Sequence, residues 1–423
     1  MRALGFIGII LSIFSSFAYA SEAKLDTGNT AWMLVASALV VFMTVPGLAL
    51  FYGGLDKSKS ILNTIAMSFS AFAVVTLTWI FVGYSVAYGD DIFGFIGNPF
   101  QYVLGKGISG INSDTGYPAL LDLMFQLTFA TITTALISGS FVGRMKFSAW
   151  ILFAILWSVF VYPPVAHWVW GGGFLANDGA LDFAGGTVVH INAGIAGLVG
   201  ALILGRRKDT SLIPNNVPLV ALGAGILWFG WFGFNAGSAL GANESAAWAM
   251  INTTVATSTA ALAWMFTEWL HVGKPTVVGI SSGIVAGLVA ITPAAGFVNL
   301  IGSIFIGAIA SVCAYFMVAL VKPKFGYDDA LDVFGIHGVR GIVGAVLTGV
   351  FADPNVGGTP GLLYGNPKQV LIQIEGVIAT ILYSAILTAV ILLVLKAVVG
   401  LRVSEEEELE LDSSLHGEKA YNL

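Results

Sequence analysis

The chain has 423 residues, of which 57% are hydrophobic and only 10% are charged, and its net charge is −6. A soluble domain carries about a quarter charged residues, so the polar groups here are too few to cover a surface that faces water. The composition therefore indicates an integral membrane protein that lies in a lipid bilayer. No basic cluster offers a phosphate-binding face, so nucleic acid is not an expected partner. The single cysteine, Cys313, cannot form an internal disulfide and is expected to be a small core residue.

The first twenty residues have the pattern of a cleaved export signal. Arg2 supplies a positive start, the stretch 4–17 is apolar, and Ala18-Tyr19-Ala20 is a small-x-small cleavage site. An uncleaved first span is the alternative, but the apolar stretch is short for crossing a bilayer. We therefore expect residues 1–20 to be removed and the mature chain to begin near Ser21, outside the cytoplasm.

Eleven apolar runs, each long enough to cross a bilayer at about 20 residues, follow between short polar breaks. They lie at roughly 30–54, 62–87, 119–142, 147–170, 185–205, 216–238, 246–270, 275–293, 299–321, 335–352 and 370–400. The sequence thus predicts an all-α integral membrane protein with eleven transmembrane helices and no large soluble domain.

The positively charged residues give an independent check, because Lys and Arg accumulate in cytoplasmic loops. If the amino terminus is outside, the cytoplasmic loops hold Lys57, Lys59, Arg144, Lys146, Arg206, Arg207, Lys208, Lys274, Lys322 and Lys324. The opposite loops hold Lys106, Lys368 and little else. This alternation predicts that the amino terminus is outside and the carboxyl terminus is inside.

Two of the spans share a histidine motif. Residues 190–197 and 337–344 both read His-x-x-x-Gly-Ile-x-Gly, and each copy lies in the fifth span of a five-span set. An odd number of spans per unit inverts the second unit relative to the first, and such repeats place a shared site near the bilayer midplane. The pattern predicts an inverted 5+5 repeat, with one extra helix after it.

His190 and His337 are the candidate functional residues of this repeat. Ionisable groups within spans usually face a cavity or a pathway, although a histidine that only packs between helices is the alternative. An apolar channel disfavours the charged imidazolium. Two neutral rings could then share a hydrogen bond and offer nitrogen lone pairs or N–H groups to a small polar molecule. Two histidines make a weak metal site, and no nucleotide-binding loop or Ser-His-Asp grouping is evident, so neither a cofactor nor an enzymatic activity is expected.

Five stretches, in the same order along the chain, resemble the ammonium transporter, methylammonium permease and Rhesus (Amt/Mep/Rh) family, and its bacterial members in particular. They are Phe125–Phe129, Val169–Gly173, Asp182–His190 continuing to Arg207, Trp231–Ser238, and Asp332–Gly338. The resemblance spans nearly the whole chain after residue 20. It implies ammonium or ammonia as the substrate and a homotrimer with one pore in each subunit.

The resemblance also implies an outer vestibule that recruits the cation, formed by Phe129, Trp170 and Ser238. Aromatic faces attract a cation by about 0.5–2 kcal/mol, which suits this role. Alone, Trp170 would read as an interfacial aromatic residue, and Ser238 as a small residue between packed helices. Asp182 matches an acidic residue that supports the recruitment site, and it could equally cap the helix of the fifth span.

Below the vestibule, the resemblance implies a pore gate of two stacked rings, Phe129 and Phe234. His190 and His337 would line the pore, with Trp231 nearby. A bare cation in a low dielectric costs of order 20 kcal/mol in the idealised limit, so we expect ammonium to lose its proton at the entrance and to cross as ammonia. Potassium has no proton to give up. Whether the proton crosses separately, which would make transport electrogenic, is left open.

Arg340 departs from the family pattern, which favours a small or uncharged residue there. It follows His337 by three residues, so helical geometry places the two near one face. A guanidinium that pointed into the pore would repel ammonium, whereas one that turned to a subunit boundary would not.

The carboxyl-terminal tail, residues 401–423, carries an acidic run at 404–412 and ends in His416-Gly-Glu-Lys-Ala-Tyr421. A solvated acidic segment is the simplest interpretation. The tail also resembles the cytoplasmic segment through which bacterial family members are regulated by a PII-type signalling protein. We therefore expect a membrane domain over 21–400 and a cytoplasmic regulatory tail over 401–423.

These observations predict an ammonium transporter of the bacterial inner membrane that serves nitrogen uptake. An ammonium sensor that signals through its tail and conducts little is the second hypothesis. A sodium-coupled carrier of an organic amine is the third hypothesis. Such a carrier would need broken helices with clustered carbonyl and carboxylate ligands, and the sequence shows no sign of them.

Overall fold

The computed structural model describes residues 23–211 and 213–421. The predicted export signal at 1–20 lies outside the described residues. Eleven long helices organise this part of the chain. In chain order they are α1 (Thr27–Leu55), α2 (Ile61–Tyr88), α3 (Ala119–Phe141), α4 (Phe147–Asp178), α5 (Gly186–Leu204), α6 (Val217–Gly237), α7 (Glu244–Val272), α8 (Val277–Ile291), α9 (Leu300–Phe325), α10 (Phe334–Phe351) and α11 (Lys368–Val398).

Each predicted apolar run coincides with one of these helices, and the boundaries agree closely except at the end of α4, which continues to Asp178 where the prediction ended at 170. Within the described residues, nine helices are long and apolar enough to cross a membrane, and α7 and α8 are the two that fall short. The prediction of a helical membrane protein is therefore confirmed. Eleven crossings, the inverted repeat and the orientation of the termini stay predictions.

Among the long helices, α4 is interrupted at Val161 and at 171–173.

Short elements join the long helices. After α2, strand β1 (Asp91–Ile92) pairs antiparallel with strand β2 (Ile96–Gly97). Further helical turns lie at Val103–Gly105, Pro354–Gly357, Leu362–Tyr364, Glu405–Glu408 and Asp412–His416.

Helices α5 and α10, which carry the two histidine motifs, cross at very close range. A Cβ atom added to Gly194 of α5 would lie 2.2 Å from the backbone nitrogen of Gly338 in α10. At the next contact, a Cβ atom on Gly341 would lie 2.8 Å from the carbonyl oxygen of Gly186. Only glycine allows this approach, so the small residues of the repeat bring the two helices together.

Both histidines lie on π-helical turns at the starts of their helices, Gly186–Ile191 in α5 and Phe334–Val339 in α10. Such widened turns rotate the side chains relative to a regular α-helix and occur often at functional sites. The matching irregularity in both copies agrees with the repeated motif, although the sequence pattern alone gave no sign of it.

A buried ion cluster joins the loops at the carboxyl-terminal end of α5 and the amino-terminal end of α10. Arg207 donates to Asp328 from Nε at 2.9 Å and from Nη2 at 2.7 Å, and Arg144 donates from Nη2 to the Asp328 carbonyl oxygen at 2.6 Å. All three side chains are buried. Burial raises the pKa of Asp328, but the hydrogen bonds and charge of Arg207, with the charge of Arg144, outweigh burial and lower that pKa to about 2. The cluster thus fixes the loops after α3, α5 and α9 to one another.

The expectation that Cys313 is a core residue is wrong. Its side chain is exposed on the outer surface of α9. An apolar run in a membrane helix includes the face turned to lipid or to another subunit, so hydrophobicity does not by itself imply burial within the chain.

Candidate functional site

A cavity of about 510 Å³ opens at the start of α3 and ends on an aromatic floor. Phe129, Trp170 and Ser238, which the sequence predicts to recruit the cation, all line it. Asp182 is not among the lining residues. Three of the four predicted recruitment residues are therefore brought together on one cavity, which we call the outer cavity.

Trp170 is held by the loop that precedes α5. Its indole Nε1 donates to the carbonyl oxygen of Asp182 at 2.8 Å, and its ring stands perpendicular to the ring of Phe129 at 5.9 Å. Ser238 donates its hydroxyl to the carbonyl oxygen of Phe234 at 2.8 Å. Because that hydroxyl is already used as a donor, its lone pairs are left to accept an N–H group from a ligand.

The Asp182 carboxylate lies at the amino terminus of α5. Its two oxygens accept four backbone N–H groups, from Gly185, Gly186, Thr187 and Val188, at 2.6–3.2 Å. These are the orphan donors of the first helical turn, and a negative charge there also complements the helix dipole. Asp182 therefore acts as a helix cap and fixes Trp170 through its carbonyl oxygen.

Two phenylalanine rings close the floor of the outer cavity. The centroids of Phe129 and Phe234 are 4.2 Å apart with an interplanar angle of 22°, and both side chains are buried. Stacked at this distance, the rings leave no space between them for a ligand.

His190 and His337 lie behind these two rings, which the sequence predicts to form the gate. Their Nδ1 atoms are 3.3 Å apart and their rings are nearly parallel, at 18°. The His190 ring also stacks on Trp231 at 5.5 Å and lies 6.1 Å from the ring of Phe234. Sequence positions 147 residues apart thus meet as a direct pair next to the gate.

The hydrogen bond between the two Nδ1 atoms determines which donor and acceptor groups the histidine pair can present to a ligand. Neutral imidazole carries one proton, so one ring donates from Nδ1 and keeps a lone pair on Nε2, while the other accepts and keeps an Nε2–H group. The Nε2 atom of His190 is buried and has no hydrogen-bond partner among the described residues. The pair can therefore present one acceptor and one donor to a molecule such as ammonia.

Trp231 is anchored by a polar chain that the sequence reasoning missed. Its Nε1 donates to Oγ1 of Thr292 at 2.9 Å, Thr292 contacts Oδ1 of Asn235 at 3.3 Å, and Nδ2 of Asn235 donates to Oγ1 of Thr253 at 2.9 Å. All four side chains are buried. The sequence did contain a signal for this chain, an asparagine and two threonines inside otherwise apolar runs. Polar groups buried in a membrane require partners, so these residues could have been expected to form hydrogen bonds with one another.

A second, very small cavity of about 10 Å³ lies next to His337, on the side of the histidine pair that faces away from the outer cavity. His337 and Trp231 line it together with apolar side chains from α1, α3, α6 and α8. This volume holds roughly one water-sized molecule. The wall offers almost no polar partner, so a hydrated cation would lose its shell here.

Arg340 does not line that cavity. Its guanidinium carbon lies 5.3 Å from the ring centroid of Trp264, and Nη1 donates to the carbonyl oxygen of Ser282 at 3.3 Å. The side chain is buried, and Nε and Nη2 have no hydrogen-bond partner among residues 23–211 and 213–421. The guanidinium thus packs against α7 and α8.

On the opposite face from the outer cavity, a cavity of about 810 Å³ lies under the carboxyl-terminal tail; we call it the inner cavity. Basic residues of the loops and acidic residues of the tail line it together, including Lys57, Lys59, Arg207, Lys208, Glu406, Glu408 and Glu410. The tail is therefore part of the cavity wall.

The tail packs against the loops through several polar contacts, so a freely solvated acidic segment does not describe it. Asp412 accepts the backbone N–H groups of Leu62 and Asn63 at 3.0 and 2.9 Å, and so caps α2. Glu408 accepts the backbone N–H group of Lys208 at 2.6 Å, and Glu410 pairs with Lys59. Ser404 and Glu407 form a capping box, a pattern that the sequence displays and that predicts a helical turn.

No group of three or more His, Cys, Asp or Glu side chains within the described ranges is placed to hold a metal ion. The outer cavity, the stacked rings and the histidine pair offer aromatic faces and hydrogen-bonding groups.

Comparison with known proteins gives one consistent result. The sequence model of the Ammonium Transporter Family matches residues 31–421. The ammonium transporter of Bacillus subtilis is 49% identical over 404 residues, covering 94% of this chain and 99% of the relative. The crystal structure of Saccharomyces cerevisiae Mep2 is 37% identical with a TM-score of 0.85, covering 90% of this chain and 89% of that one. A structure described as a sensor Amt protein is 27% identical with a TM-score of 0.84, covering 92% and 98%.

Proposed function

This chain belongs to the ammonium transporter family, and on that premise we propose that it transports ammonium. Ammonium is recruited in the outer cavity, transfers a proton to the histidine pair at the aromatic gate and continues as ammonia, while the pair passes the proton on to solvent. The single observation that carries this proposal is the direct pairing of His190 and His337 next to the stacked gate.

Recruitment is supported by the chemistry of the outer cavity. The rings of Phe129 and Trp170 form a corner that can face a cation from two sides, and the Ser238 hydroxyl can accept one of its N–H groups. Asp182 supports this arrangement indirectly, by capping α5 and holding Trp170.

Deprotonation is supported by the closed gate and the apolar cavity behind it. Cation–π contacts are worth about 0.5–2 kcal/mol, whereas a bare cation in a low dielectric costs of order 20 kcal/mol in the idealised limit. Ammonia carries no net charge, and the histidine pair can both donate to it and accept from it. The neutral species is therefore the one that this path favours.

The further features of the proposal concern topology and assembly. Residues 21–400 form a multi-pass domain of eleven transmembrane helices in the bacterial inner membrane, with an inverted 5+5 repeat, the amino terminus outside and the carboxyl terminus inside. The subunit forms a homotrimer with one pore each. The alternation of Lys and Arg between loops and the repeated π-helical turns support this topology.

Regulation by a PII-type protein at the cytoplasmic face is also part of the proposal. The tail, residues 401–423, lies along the inner cavity and is bound to the loops after α1 and α5. A partner that binds these loops would meet the tail at the same place, so occupancy of the inner cavity and the position of the tail are coupled.

Uptake of radiolabelled methylammonium into proteoliposomes tests the function. We expect uptake that saturates with concentration, that excess ammonium inhibits, and that is unchanged when choline replaces sodium. Loss of uptake without sodium would favour the sodium-coupled carrier. Uptake no faster than into protein-free liposomes, with methylammonium binding retained, would favour the sensor.

A further inference from the structure

The outer cavity contains a carboxylate that the proposed mechanism does not use. Asp122 lies in the first turn of α3 and lines the cavity. Its two oxygens accept hydrogen bonds from the hydroxyl groups of Tyr84 at 2.9 Å and Tyr117 at 3.3 Å. No lysine or arginine among residues 23–211 and 213–421 forms an ion pair with it. The Asp122 carboxyl group is thus held in place by two phenols, with no basic side chain paired to it in the described part of the chain.

The position of Asp122 on α3 relates it to the gate. Asp122, Phe125, Gln126 and Phe129 recur at helical spacing on the face of α3 that lines the cavity. Seven residues separate Asp122 from Phe129, which corresponds to about 10 Å along the helix axis. The carboxylate therefore lies two turns outside the gate, on the wall along which a cation would approach.

The neighbouring tyrosines supply further partners for a cation. Tyr88 and Tyr117 both line the cavity, and the Tyr88 hydroxyl has no hydrogen-bond partner in the described part of the chain. A phenol oxygen can accept an N–H group, and phenol rings attract cations through their faces. A half-buried carboxylate gains most from a partner of opposite charge, because water solvates it only in part.

We propose that Asp122, with Tyr88 and Tyr117, forms an outer subsite for a small monovalent cation, about 10 Å outside the gate by helical rise. The proposal rests on the proposed function, in which ammonium is the cation that reaches this subsite first and then moves to Phe129, Trp170 and Ser238. A carboxylate with phenol oxygens does not distinguish ammonium from potassium, so the subsite concentrates cations and the selection occurs at the gate.

Asp122→Asn tests the subsite, because it keeps the shape of the side chain and removes the charge. In proteoliposomes at constant ionic strength, we expect the half-saturating ammonium concentration of the transport response to rise at least about fivefold, since a partly desolvated unit charge is lost. The maximal response should stay within about twofold, because the gate and the histidine pair are unchanged. Replacing choline by potassium should raise the half-saturating concentration in the wild type but not in Asp122→Asn.

Two variants serve as controls. Asp122→Glu restores the charge and is expected to recover most of the affinity. Asp114→Asn removes the same charge from an exposed position at the same cavity, so it should cause a clearly smaller shift. Equal shifts in Asp114→Asn and Asp122→Asn would overturn the proposal, since they would reflect diffuse surface charge. An unchanged constant in Asp122→Asn, or no recovery in Asp122→Glu, would overturn it as well.

The failure of the proposed function gives a different result. In that case the wild type itself shows no ammonium response in proteoliposomes. Equilibrium binding of radiolabelled methylammonium to the solubilised wild type and to Asp122→Asn would still test the subsite. We expect weaker binding in the variant, and equal binding would overturn the proposal.

Discussion

The double variant His190→Ala, His337→Ala is expected to lose at least about nine-tenths of the ammonium response of proteoliposomes, measured as current and as change in internal pH. A positioned proton-transfer group typically contributes about 10²–10⁴-fold to a rate, and both imidazoles that can take a proton or bind ammonia next to the gate are removed. The space they leave is lined by Trp231 and apolar groups, which cannot replace them.

His271→Ala is the matched control for this change. His271 is exposed at the end of α7, and its Nδ1 atom lies 2.8 Å from the hydroxyl oxygen of Tyr315. The same substitution there should leave the response close to that of the wild type. A double variant that responded as the wild type does, in both size and preference for ammonium, would contradict the role given to the histidine pair.

Asp328→Asn is expected to cause the largest loss of stability. The change leaves the guanidinium groups of Arg144 and Arg207 buried without their anion. Breaking a buried pair by removing one partner costs about 3–5 kcal/mol, so we expect a lower apparent melting temperature in detergent and a reduced yield of folded protein. Thermal unfolding followed by size-exclusion chromatography measures the effect.

The matched control is Asp209→Asn, which removes a carboxylate from an exposed pair with Lys57. An exposed pair contributes little to stability because water and salt screen it. Equal melting temperatures for Asp328→Asn and Asp209→Asn would contradict the structural role of the buried cluster.

The same cluster predicts a pH dependence. The pKa of Asp328 in the folded protein, about 2, lies below the ordinary value of 3.8. The stabilisation that the ionised carboxyl provides is therefore fully present above the ordinary value and is lost as the pH falls through the lower one. The difference in stability between wild type and Asp328→Asn should stay constant between about pH 5 and pH 8 and narrow below about pH 4.

Hydrophobicity was sufficient to place every long helix, because lipid requires about 20 apolar residues per crossing. The repeated His-x-x-x-Gly-Ile-x-Gly motif was sufficient to pair His190 with His337, since the glycines that permit the crossing of α5 and α10 are part of that motif. The resemblance to a family identified the aromatic residues, which composition alone would have assigned to packing.

Local hydrogen bonding was harder to predict. The sequence was compatible with two roles for Asp182, a helix cap and support of the cation site. Only the geometry shows that its carboxylate accepts four backbone N–H groups. The π-helical turns depend on tertiary contacts that no sequence period reveals. Asp122 was overlooked because a single acidic residue at the start of an apolar run resembles an ordinary helix-terminal charge.

The tail shows the same limit. An acidic run indicates a solvated segment when the loops it meets are not known. Its partners, Lys59 and Lys208, belong to loops more than one hundred residues away, so the pairing depends on the fold.

The central claim is that ammonia, and not the ammonium ion, passes the gate and the histidine pair. Matched concentration jumps of ammonium chloride and potassium chloride on wild-type proteoliposomes, followed by current and by an internal pH dye, test it most directly. The account predicts a response to ammonium and, for potassium, no response beyond that of protein-free liposomes, because potassium has no proton to lose. A potassium current comparable to the ammonium current would contradict the account, since it would mean that an intact cation crosses the pore.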